Sequence, residues 1–423
     1  MKNEESKRSI LVSFLLHLHP QSVNKQALIF TRTFGLGGIN ALLFVILVTT
    51  GLILRFSYVP TPEGAYDSIL SLQNNSLFGS LLRNIHHWCA MFMVVTAFLH
   101  LLRVFYSQSI YYERKRNWYY GLLLFVVVLA FNFTGYLLPW DQLSYWAVTI
   151  MTNIVGYLPL IGETIMNMLR GGETVNSTTL LNFYTLHTAL LPLLFVVFMV
   201  LHFWLIRKAR GVTVKDINDH EMVKVNPELI SKEIILALSA IIFIILFSIF
   251  FDAPLLEKAN PLVSPNPSKA PWYFMGIQEL LINLHPIFVT LIIPVSLIAL
   301  FIFIPTIKFR KDKIGTWFYS QKGSLIVRIS VLFSAVLTLL IIITFEYWVH
   351  LYKLDIQLII STGIIPFLAY LLPVLVFIFY LLKALKAHKV EIIISIVTMV
   401  FTSYLVMTII GIWFRGASMQ LIF

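Results

Sequence analysis

The sequence predicts an all-α fold, a polytopic transmembrane helix bundle of about nine spans. Hydrophobic residues make up 58% of the chain and charged residues only 12%, and the mean hydropathy is +0.84; these values are typical of multi-pass membrane proteins. Long apolar stretches alternate with polar loops, and each stretch can cross a hydrocarbon core about 30 Å thick. The predicted spans are residues 31–57, 79–106, 118–138, 180–206, 233–251, 287–305, 324–345, 358–382 and 391–413.

The charges in the loops predict how this bundle is oriented. The loops after spans two, four, six and eight carry most of the lysines and arginines, whereas the loops after the odd spans carry only Arg170, Lys258, Lys269 and Lys353. Because basic loops are retained on the cytoplasmic side, the even loops and the N-terminus are predicted to be cytoplasmic. Residues 9–20 are too short to span and are predicted to form an interfacial helix.

Two histidines lie inside the second span. His86 and His100 are fourteen residues apart, and Arg83 and Arg103 stand three residues outside them. In a helix, fourteen residues rise about 21 Å and return to within about 40° of the starting face, so each histidine is predicted near one membrane surface. An imidazole in a bilayer interior is costly unless it is ligated or paired, so both histidines are candidate functional residues.

The fourth span carries a second pair, His187 and His202, fifteen residues apart. Spans two and four are separated by one helix and therefore run in the same direction, which places His86 level with His187 and His100 level with His202. Each pair can supply the two axial imidazoles of a six-coordinate b-type haem. The pattern predicts an N-terminal four-helix bundle that binds two b-type haems, one near each membrane surface.

Glycines in the neighbouring spans repeat this interval. Gly37 and Gly51 in span one, and Gly121 and Gly135 in span three, are fourteen residues apart. A glycine leaves room for a haem edge pressed against a helix, although small residues also serve helix packing in membranes. Two glycine pairs in register with two histidine pairs favour the haem interpretation.

Several classes of site are excluded by the composition. The one cysteine of the sequence, Cys89, excludes a disulfide framework, a CxxC motif and a thiolate-ligated iron–sulfur site within this chain. Cys89 itself is predicted to be a small apolar core residue. The sequence contains no P-loop, no dinucleotide fingerprint and no hydrophilic segment long enough to fold as a soluble catalytic domain.

These features resemble cytochrome b of the bc-type quinol-oxidising complexes. The pattern R-x2-H-x13-H-x2-R, the paired glycines and the segment LPWDQLSYWAVTIMTNI at 138–154 carry the resemblance. The fifteen-residue histidine interval, LPWDQ and FYTLHTALLPLL are similar to the plastid and Gram-positive branch, in which the C-terminal half is often a separate subunit. The resemblance is close over residues 30–210 and looser to about 345, and we recognise none in the last two spans.

The resemblance implies a domain organisation and a location. Residues 1–30 are expected to form a cytoplasmic and interfacial segment, 31–210 the dihaem domain, 211–232 a cytoplasmic linker, 233–345 the C-terminal cytochrome b domain, and 346–423 extra transmembrane helices. The expected location is a bacterial inner membrane, with the N-terminus in the cytoplasm.

The resemblance also implies a function, that of a quinol:cytochrome c oxidoreductase subunit. Quinol is expected to be oxidised at the outer face, giving one electron to a Rieske iron–sulfur protein and onward to a c-type cytochrome. The other electron is expected to pass through the two b haems to a quinone at the inner face. The complex is expected to be a homodimer in the lipid membrane. Arg83 and Arg103 are expected to bind haem propionates, and Arg207 at the end of span four is a further candidate for cofactor binding.

Two loops are expected to form the quinol oxidation pocket. The resemblance assigns one wall to the loop that contains Tyr136, Trp140 and Asp141, although an aromatic belt at the membrane surface is the alternative. The opposite wall is expected in the loop after span five, where Trp272 and Tyr273 match the family's Pro-Glu-Trp-Tyr motif.

The sequence departs from the family at the glutamate of that motif, because Pro271 occupies its position. The family glutamate is thought to accept a proton from quinol, and a proline has no group that can. Glu279 follows Trp272 by about two helical turns and is a candidate replacement. A salt-bridged or solvated Glu279 is the alternative, and Asp141 is a second candidate acceptor.

A second departure concerns a third haem, which the plastid branch tethers to a cysteine near the start of span one. Gly35 occupies that position, so no tether is expected. Two other functions were weighed against the cytochrome b assignment. Dihaem subunits of hydrogenases and formate dehydrogenases have histidine-ligated haems but lack the glycine register and both loops. A transporter with buried histidines would bind no haem and would show an inverted repeat, which this sequence lacks.

Overall fold

A computed structural model of the chain describes residues 21–209, 211–213, 221–349 and 357–422. Within these ranges helices and their connecting loops make up the protein, together with one short two-stranded sheet. The interfacial helix predicted at 9–20 lies outside the described residues. The helices are α1 (Phe30–Thr33), α2 (Leu36–Arg55), α3 (Ala65–Asn75), α4 (Gly79–Tyr106), α5 (Lys115–Leu137), α6 (Gln142–Gly156), α7 (Gly162–Arg170), α8 (Ser177–Lys208), α9 (Ile230–Phe250), α10 (Met275–Asn283), α11 (Phe288–Thr306), α12 (Gln321–Tyr347), α13 (Ile360–Lys383) and α14 (Lys389–Trp413).

Among the described residues, nine helices are long and apolar enough to cross a membrane. They are α2, α4, α5, α8, α9, α11, α12, α13 and α14, and each lies where the sequence predicted a span. The all-α, multi-pass membrane fold is therefore confirmed.

Three of these spans contain a wide turn of π-helix. The π-turns cover Leu186–Leu190, Phe288–Ile292 and Ile360–Ile364, and each ends two residues before a proline. Proline has no N–H to donate, so the regular hydrogen-bond ladder is interrupted there and the helix widens locally.

The first four spans form one bundle, in which α2 packs against α4, α4 against α5, and α5 against α8. Its centre is an apolar cluster that includes Phe44, Cys89, Met93, Val127 and Phe195. The rings of Phe44 and Phe195 lie 4.2 Å apart between their centroids. Cys89 is fully buried in this cluster, as expected for a small core residue.

The short sheet joins two distant parts of the chain. Strand β1 (Ser22–Asn24) pairs antiparallel with β2 (Met222–Lys224), with Val23 opposite Val223. This pairing connects the segment before the first span to the segment that follows α8, so part of the predicted linker at 211–232 is structured.

Two short helices, α6 and α7, connect α5 to α8. Asp141 caps α6, because its Oδ1 accepts a hydrogen bond from Ser144 N at 2.9 Å. Arg170 at the end of α7 is buried and donates from Nε to Thr152 Oγ1 at 2.7 Å and from Nη2 to Thr149 O at 2.9 Å. These bonds hold α7 against α6.

The second half of the chain packs around α14, which contacts α10 and α12. Buried hydroxyls join the spans, with Ser330 Oγ 2.7 Å from Ser395 Oγ and Thr338 Oγ1 2.9 Å from Ser403 Oγ. In a membrane interior such polar groups are satisfied by one another across helix interfaces. The last span, α14, is therefore an integral part of the helix packing in the second half of the chain.

Candidate functional site

Two pairs of histidines face each other between α4 and α8. The imidazole centroids of His86 and His187, here called the outer pair after their predicted side, are 6.3 Å apart with the ring planes at 69°. Those of His100 and His202, the inner pair, are 6.5 Å apart at 73°. These are the pairs that the sequence predicted from the direction of the spans.

Each separation fits one metal ion ligated by both rings. Two metal–nitrogen bonds of about 2.0 Å and two imidazole radii of about 1.1 Å give a centroid separation of about 6.2 Å. Within the described ranges there is no group of three or more side chains suited to hold a metal ion, and two imidazoles at this separation suit a metal whose other ligands come from a macrocycle. A haem supplies four nitrogens and leaves two axial positions for imidazoles.

The π-turn in α8 explains the unequal histidine intervals. His187 lies inside this turn, at Leu186–Leu190, and Pro192 follows it. In a regular helix, fifteen residues end about 60° from the starting face, whereas fourteen end about 40° away on the other side. The extra residue is absorbed by the wide turn, so the α8 histidines keep nearly the same angular relation as those of α4.

The four predicted glycines each face a different histidine. A Cβ added to the glycine would lie 3.3 Å from Cε1 of His100 at Gly37, 3.1 Å from Cε1 of His86 at Gly51, 3.5 Å from Cε1 of His202 at Gly121, and 2.6 Å from Cε1 of His187 at Gly135. The glycine pattern predicted space for a haem edge. The structure shows that the glycines first make room for the imidazoles themselves.

The Nδ1 atoms of the outer pair are bonded to threonines. Thr50 Oγ1 lies 2.9 Å from His86 Nδ1, and its proton is donated to Ile46 O at 2.7 Å. The hydroxyl therefore accepts from Nδ1–H, which leaves Nε2 as the ligand atom. His187 Nδ1 has two acceptors within reach, Thr134 Oγ1 at 3.2 Å and Phe131 O at 3.1 Å.

The inner pair lacks this arrangement. Each threonine of the outer pair directly precedes a glycine, whereas Leu36 and Tyr120 precede Gly37 and Gly121. Among the described residues, no hydroxyl bonds the buried Nδ1 of His100 or His202. The two pairs therefore differ in the groups that orient their imidazoles.

The arginines predicted to bind propionates contact backbone carbonyls. Arg83 is buried and donates from Nη1 to Ala253 O at 2.7 Å and from Nη2 to Pro254 O at 2.6 Å. Arg103 is also buried and donates from Nε to Arg32 O at 2.7 Å. Arg207 lies exposed at the end of α8. Propionate binding by these three residues stays a prediction.

The loop from Tyr136 to Asp141 is tightly fixed. Trp140 is buried and has a positive φ of 51°, and its carbonyl accepts a hydrogen bond from Ala259 N at 3.0 Å. Besides capping α6, Asp141 accepts at Oδ2 from Leu256 N at 3.2 Å. Both carboxylate oxygens of Asp141 are therefore occupied, Oδ1 in the cap of α6 and Oδ2 in the bond to the loop after α9.

The loop after α9 returns to the same region. Trp272 Nε1 lies 3.2 Å from Met91 Sδ on α4, five residues past His86. The rings of Phe274 and Phe133 on α5 lie 5.9 Å apart, so the segment after Pro271 packs against α4 and α5 on the side of the outer histidine pair.

Tyr273 is buried, and its hydroxyl has no hydrogen-bond partner among the described residues. Burial, together with the nearby Tyr136, raises the pKa of Tyr273. The hydroxyl is therefore a neutral donor at physiological pH, and it lies where both loops converge.

Glu279 lies in a salt bridge, which is one of the two alternatives left open above. Its carboxylate is buried and pairs with Arg415, which follows α14. Nε of Arg415 donates to Oε2 at 3.0 Å and Nη2 donates to Oε1. The expectation that Glu279 serves the pocket as a proton acceptor was based on helical spacing, which carries no information about this distant partner.

Three functional candidates were not predicted from the sequence: Thr50, Thr134 and Arg415. A signal for the threonines was present, because both stand directly before a paired glycine on the predicted outer side only. The signal for Arg415 was weaker: it is a charged residue directly after the last apolar span, on the predicted outer side, where few basic residues occur.

Comparison with known proteins agrees with this geometry. The family described as cytochrome b/b6/petB matches residues 22–210. The chain is 44% identical over 174 residues to cytochrome b6 of Heliomicrobium gestii, covering 41% of this chain and 82% of that protein. It is 43% identical over 173 residues to cytochrome b6 of Prochlorococcus marinus strain NATL1A, covering 41% and 79%.

A solved structure extends the similarity in fold. A chain of a hyperthermophilic respiratory Complex III aligns with a TM-score of 0.69 and 22% identity, over 93% of this chain and 98% of that chain. This alignment must include part of the last two spans, in which no resemblance to the family was recognised from sequence. The histidine pairs, their glycines and the close relatives together show that the chain belongs to the cytochrome b/b6 family and is a multi-pass membrane cytochrome b.

Proposed function

We propose that this chain is the cytochrome b subunit of a bc-type complex that oxidises quinol and reduces a c-type cytochrome. The observation that carries the proposal is the presence of two histidine pairs, 6.3 and 6.5 Å apart between centroids, each backed by two glycines. Activity is proposed to require a Rieske iron–sulfur protein and a c-type cytochrome, because the chain has no ligands for an iron–sulfur centre. A homodimer in a bacterial inner membrane is the proposed assembly.

The histidines would hold two b-type haems. His86 and His187 would ligate one, and His100 and His202 the other, with Arg83, Arg103 and Arg207 as candidate propionate partners. Bound haems would supply one-electron transfer between the two membrane sides. The chain's own contribution is to fix the imidazoles by glycine contacts and hydroxyl bonds, and to exclude water with the aromatic core around Phe44.

The proposed quinol pocket lies between the two loops that converge on Tyr273. Tyr136, Trp140 and Trp272 would form its walls, and the unpartnered hydroxyl of Tyr273 would donate to a quinol oxygen. The proton acceptor stays open, because Pro271 cannot act and both Asp141 and Glu279 already bind other groups. Electrons are proposed to leave this side through the outer pair and reach a quinone on the inner side.

The experiment that tests this function is purification of the complex in mild detergent from native membranes. A pyridine haemochrome assay should give about two b haems per chain, with reduced-minus-oxidised bands of bis-histidine haem. A Rieske protein and a c-type cytochrome should co-elute, and the preparation should reduce cytochrome c with quinol. One haem per chain, or co-elution with a hydrogenase or formate dehydrogenase, would overturn the proposal.

A further inference from the structure

Arg415 is buried directly after the last span and binds two carboxylates. It donates to both oxygens of Glu279 on α10, and its Nη1 donates to Glu346 Oε2 on α12 at 2.8 Å. Burial alone lowers the pKa of Arg415, but the ion pairs with Glu279 and Glu346 outweigh it and raise the net value. One guanidinium therefore joins two helices through charge-assisted hydrogen bonds.

The residues after Arg415 close over this ion cluster. Arg415 Nη1 also donates to Met419 O at 2.9 Å, and Leu421 N donates to Glu346 Oε1 at 3.2 Å. A backbone bond from Gly416 N to Gln420 O at 2.9 Å completes the turn. The segment 416–421 thus covers the cluster with backbone groups.

The helix that carries Glu279 begins directly after the Pro-Trp-Tyr segment, and α14 contacts both. A Cβ on Gly276 would lie 2.7 Å from the ring of Tyr404, and a Cβ on Gly411 would lie 2.7 Å from Met275 Cε. The Tyr404 hydroxyl donates to the carbonyl of Tyr273. Gly276 on α10 and Gly411 on α14 therefore let the two helices approach closely. The hydrogen bond from Tyr404 also ties α14 to the backbone of the proposed pocket wall.

The chain that leads into this segment is fixed to the same end of α14. Lys269 Nζ donates to Ile412 O at 2.8 Å, and Ser418 N donates to Asn266 Oδ1. The segment is thus held from both directions by the end of α14 and the residues that follow it.

We propose that the last span and its following segment brace the pocket wall, and that Arg415 is a positioning residue for quinol oxidation. This inference rests on the proposed function. Arg415 acts through Glu279: the bidentate pair sets the position of α10 and so of Trp272 and Tyr273 on the preceding turn. A planar guanidinium suits this role because it fixes direction as well as charge. The role gives the ninth span a purpose in catalysis although it contributes no haem ligand.

The test compares variants in the purified complex with its partner subunits. Quinol-dependent reduction of cytochrome c is measured with decylubiquinol or 2,3-dimethyl-1,4-naphthoquinol, whichever the wild type oxidises. Arg415→Gln should lower kcat/KM by at least fivefold, mainly by raising KM, while both haems and their midpoint potentials stay unchanged. Glu279→Gln with Arg415→Gln should recover to within about threefold of the wild type, because no unpaired charge faces α10. The matched control is Arg310→Gln, which breaks an exposed arginine–carboxylate pair with Asp312 and should have no effect.

The outcomes separate the inference from the proposed function. A normal kcat/KM in Arg415→Gln, at full haem content, would overturn the brace while leaving the function of the wild type in place. If the Arg415→Gln protein does not accumulate, Arg415→Lys replaces it, because lysine keeps the positive charge but cannot make the bidentate contact with Glu279. Normal kinetics in Arg415→Lys would equally overturn the inference. Glu346→Gln keeps the pair with Glu279 and should turn over normally, so a loss as large as that of Arg415→Gln would contradict the assigned route. Absence of quinol oxidation in the wild type would instead overturn the proposed function.

Discussion

Gly135 on α5 lies against the imidazole of His187 on α8, so closely that a Cβ would come within 2.6 Å of Cε1. The same contact at Gly121 and His202 is looser, at 3.5 Å. The four glycines are therefore not equivalent, although the sequence presents them as two identical pairs.

Gly135→Ala should displace His187 and weaken haem binding at the outer pair. The added methyl meets the ring of the ligand itself, and overpacking of this kind costs about 1–3 kcal/mol. Gly121→Ala is the matched control, because its methyl would make an ordinary contact. Haemochrome content should fall towards one per chain only in Gly135→Ala. Equal haem loss in both variants would contradict the assignment.

His86→Ala and His187→Ala should each remove the same haem and leave the other. The ratio of haem to chain should fall from about two to about one, and the remaining spectrum should be that of the inner pair. His87→Ala is the control, since His87 is adjacent in α4 but packs against Trp88. A His187→Ala protein that retains both haems would refute the pairing.

Thr50→Val should raise the midpoint potential of the outer haem only, and Thr134→Val should raise it less, because Phe131 O still accepts from His187 Nδ1. A hydrogen bond from Nδ1–H to an acceptor makes the imidazole a stronger donor and so favours oxidised iron. Loss of one such bond, worth about 0.5–1.5 kcal/mol, corresponds to a shift of up to about 60 mV in a one-electron couple. Redox titration followed by optical spectroscopy measures it. Thr49→Val, an exposed neighbour that bonds only Val45 O, should leave both potentials unchanged.

No haem should be covalently attached to this chain. Gly35 occupies the tethering position with a positive φ of 61°, and a Cβ there would lie 2.0 Å from Leu236 Cδ2. The backbone and its neighbour therefore both disfavour a side chain. Haem staining of this polypeptide on a fully denaturing gel would contradict the prediction.

The pH profile of Glu279→Gln distinguishes two possible roles of Glu279, as part of the proposed brace and as the proton acceptor. Because the ion pairs raise the pKa of Arg415, its positive charge is lost only at strongly alkaline pH and is constant between pH 5 and 8. As part of the brace, Glu279→Gln should lower kcat/KM by a similar factor at every pH in this range. As the proton acceptor, it should slow turnover by about tenfold to a thousandfold and remove a titration from the profile. Normal turnover would contradict both roles of Glu279 and leave Asp141 or ordered water as the acceptor.

The parts of this protein that follow from regular periodicity were predictable from sequence. The spans follow from apolar length, and the depth pairing of His86 with His187 follows from the direction of two helices. The π-turn at His187 was not anticipated, because it arises from a missing N–H at Pro192 rather than from side-chain spacing. The pair of Glu279 with Arg415 was out of reach for a different reason: it joins positions 136 residues apart, and no local pattern specifies such a contact.

The position of Arg415 along the chain has a consequence for biogenesis. Every proposed haem ligand lies before Lys208, so on the proposed function the N-terminal half could be inserted and loaded with haem while the remainder is still being translated. The proposed brace forms only when Arg415 has emerged, more than two hundred residues later. A nascent or prematurely terminated polypeptide could therefore bind haem before its quinol pocket is complete, and so could not yet oxidise quinol.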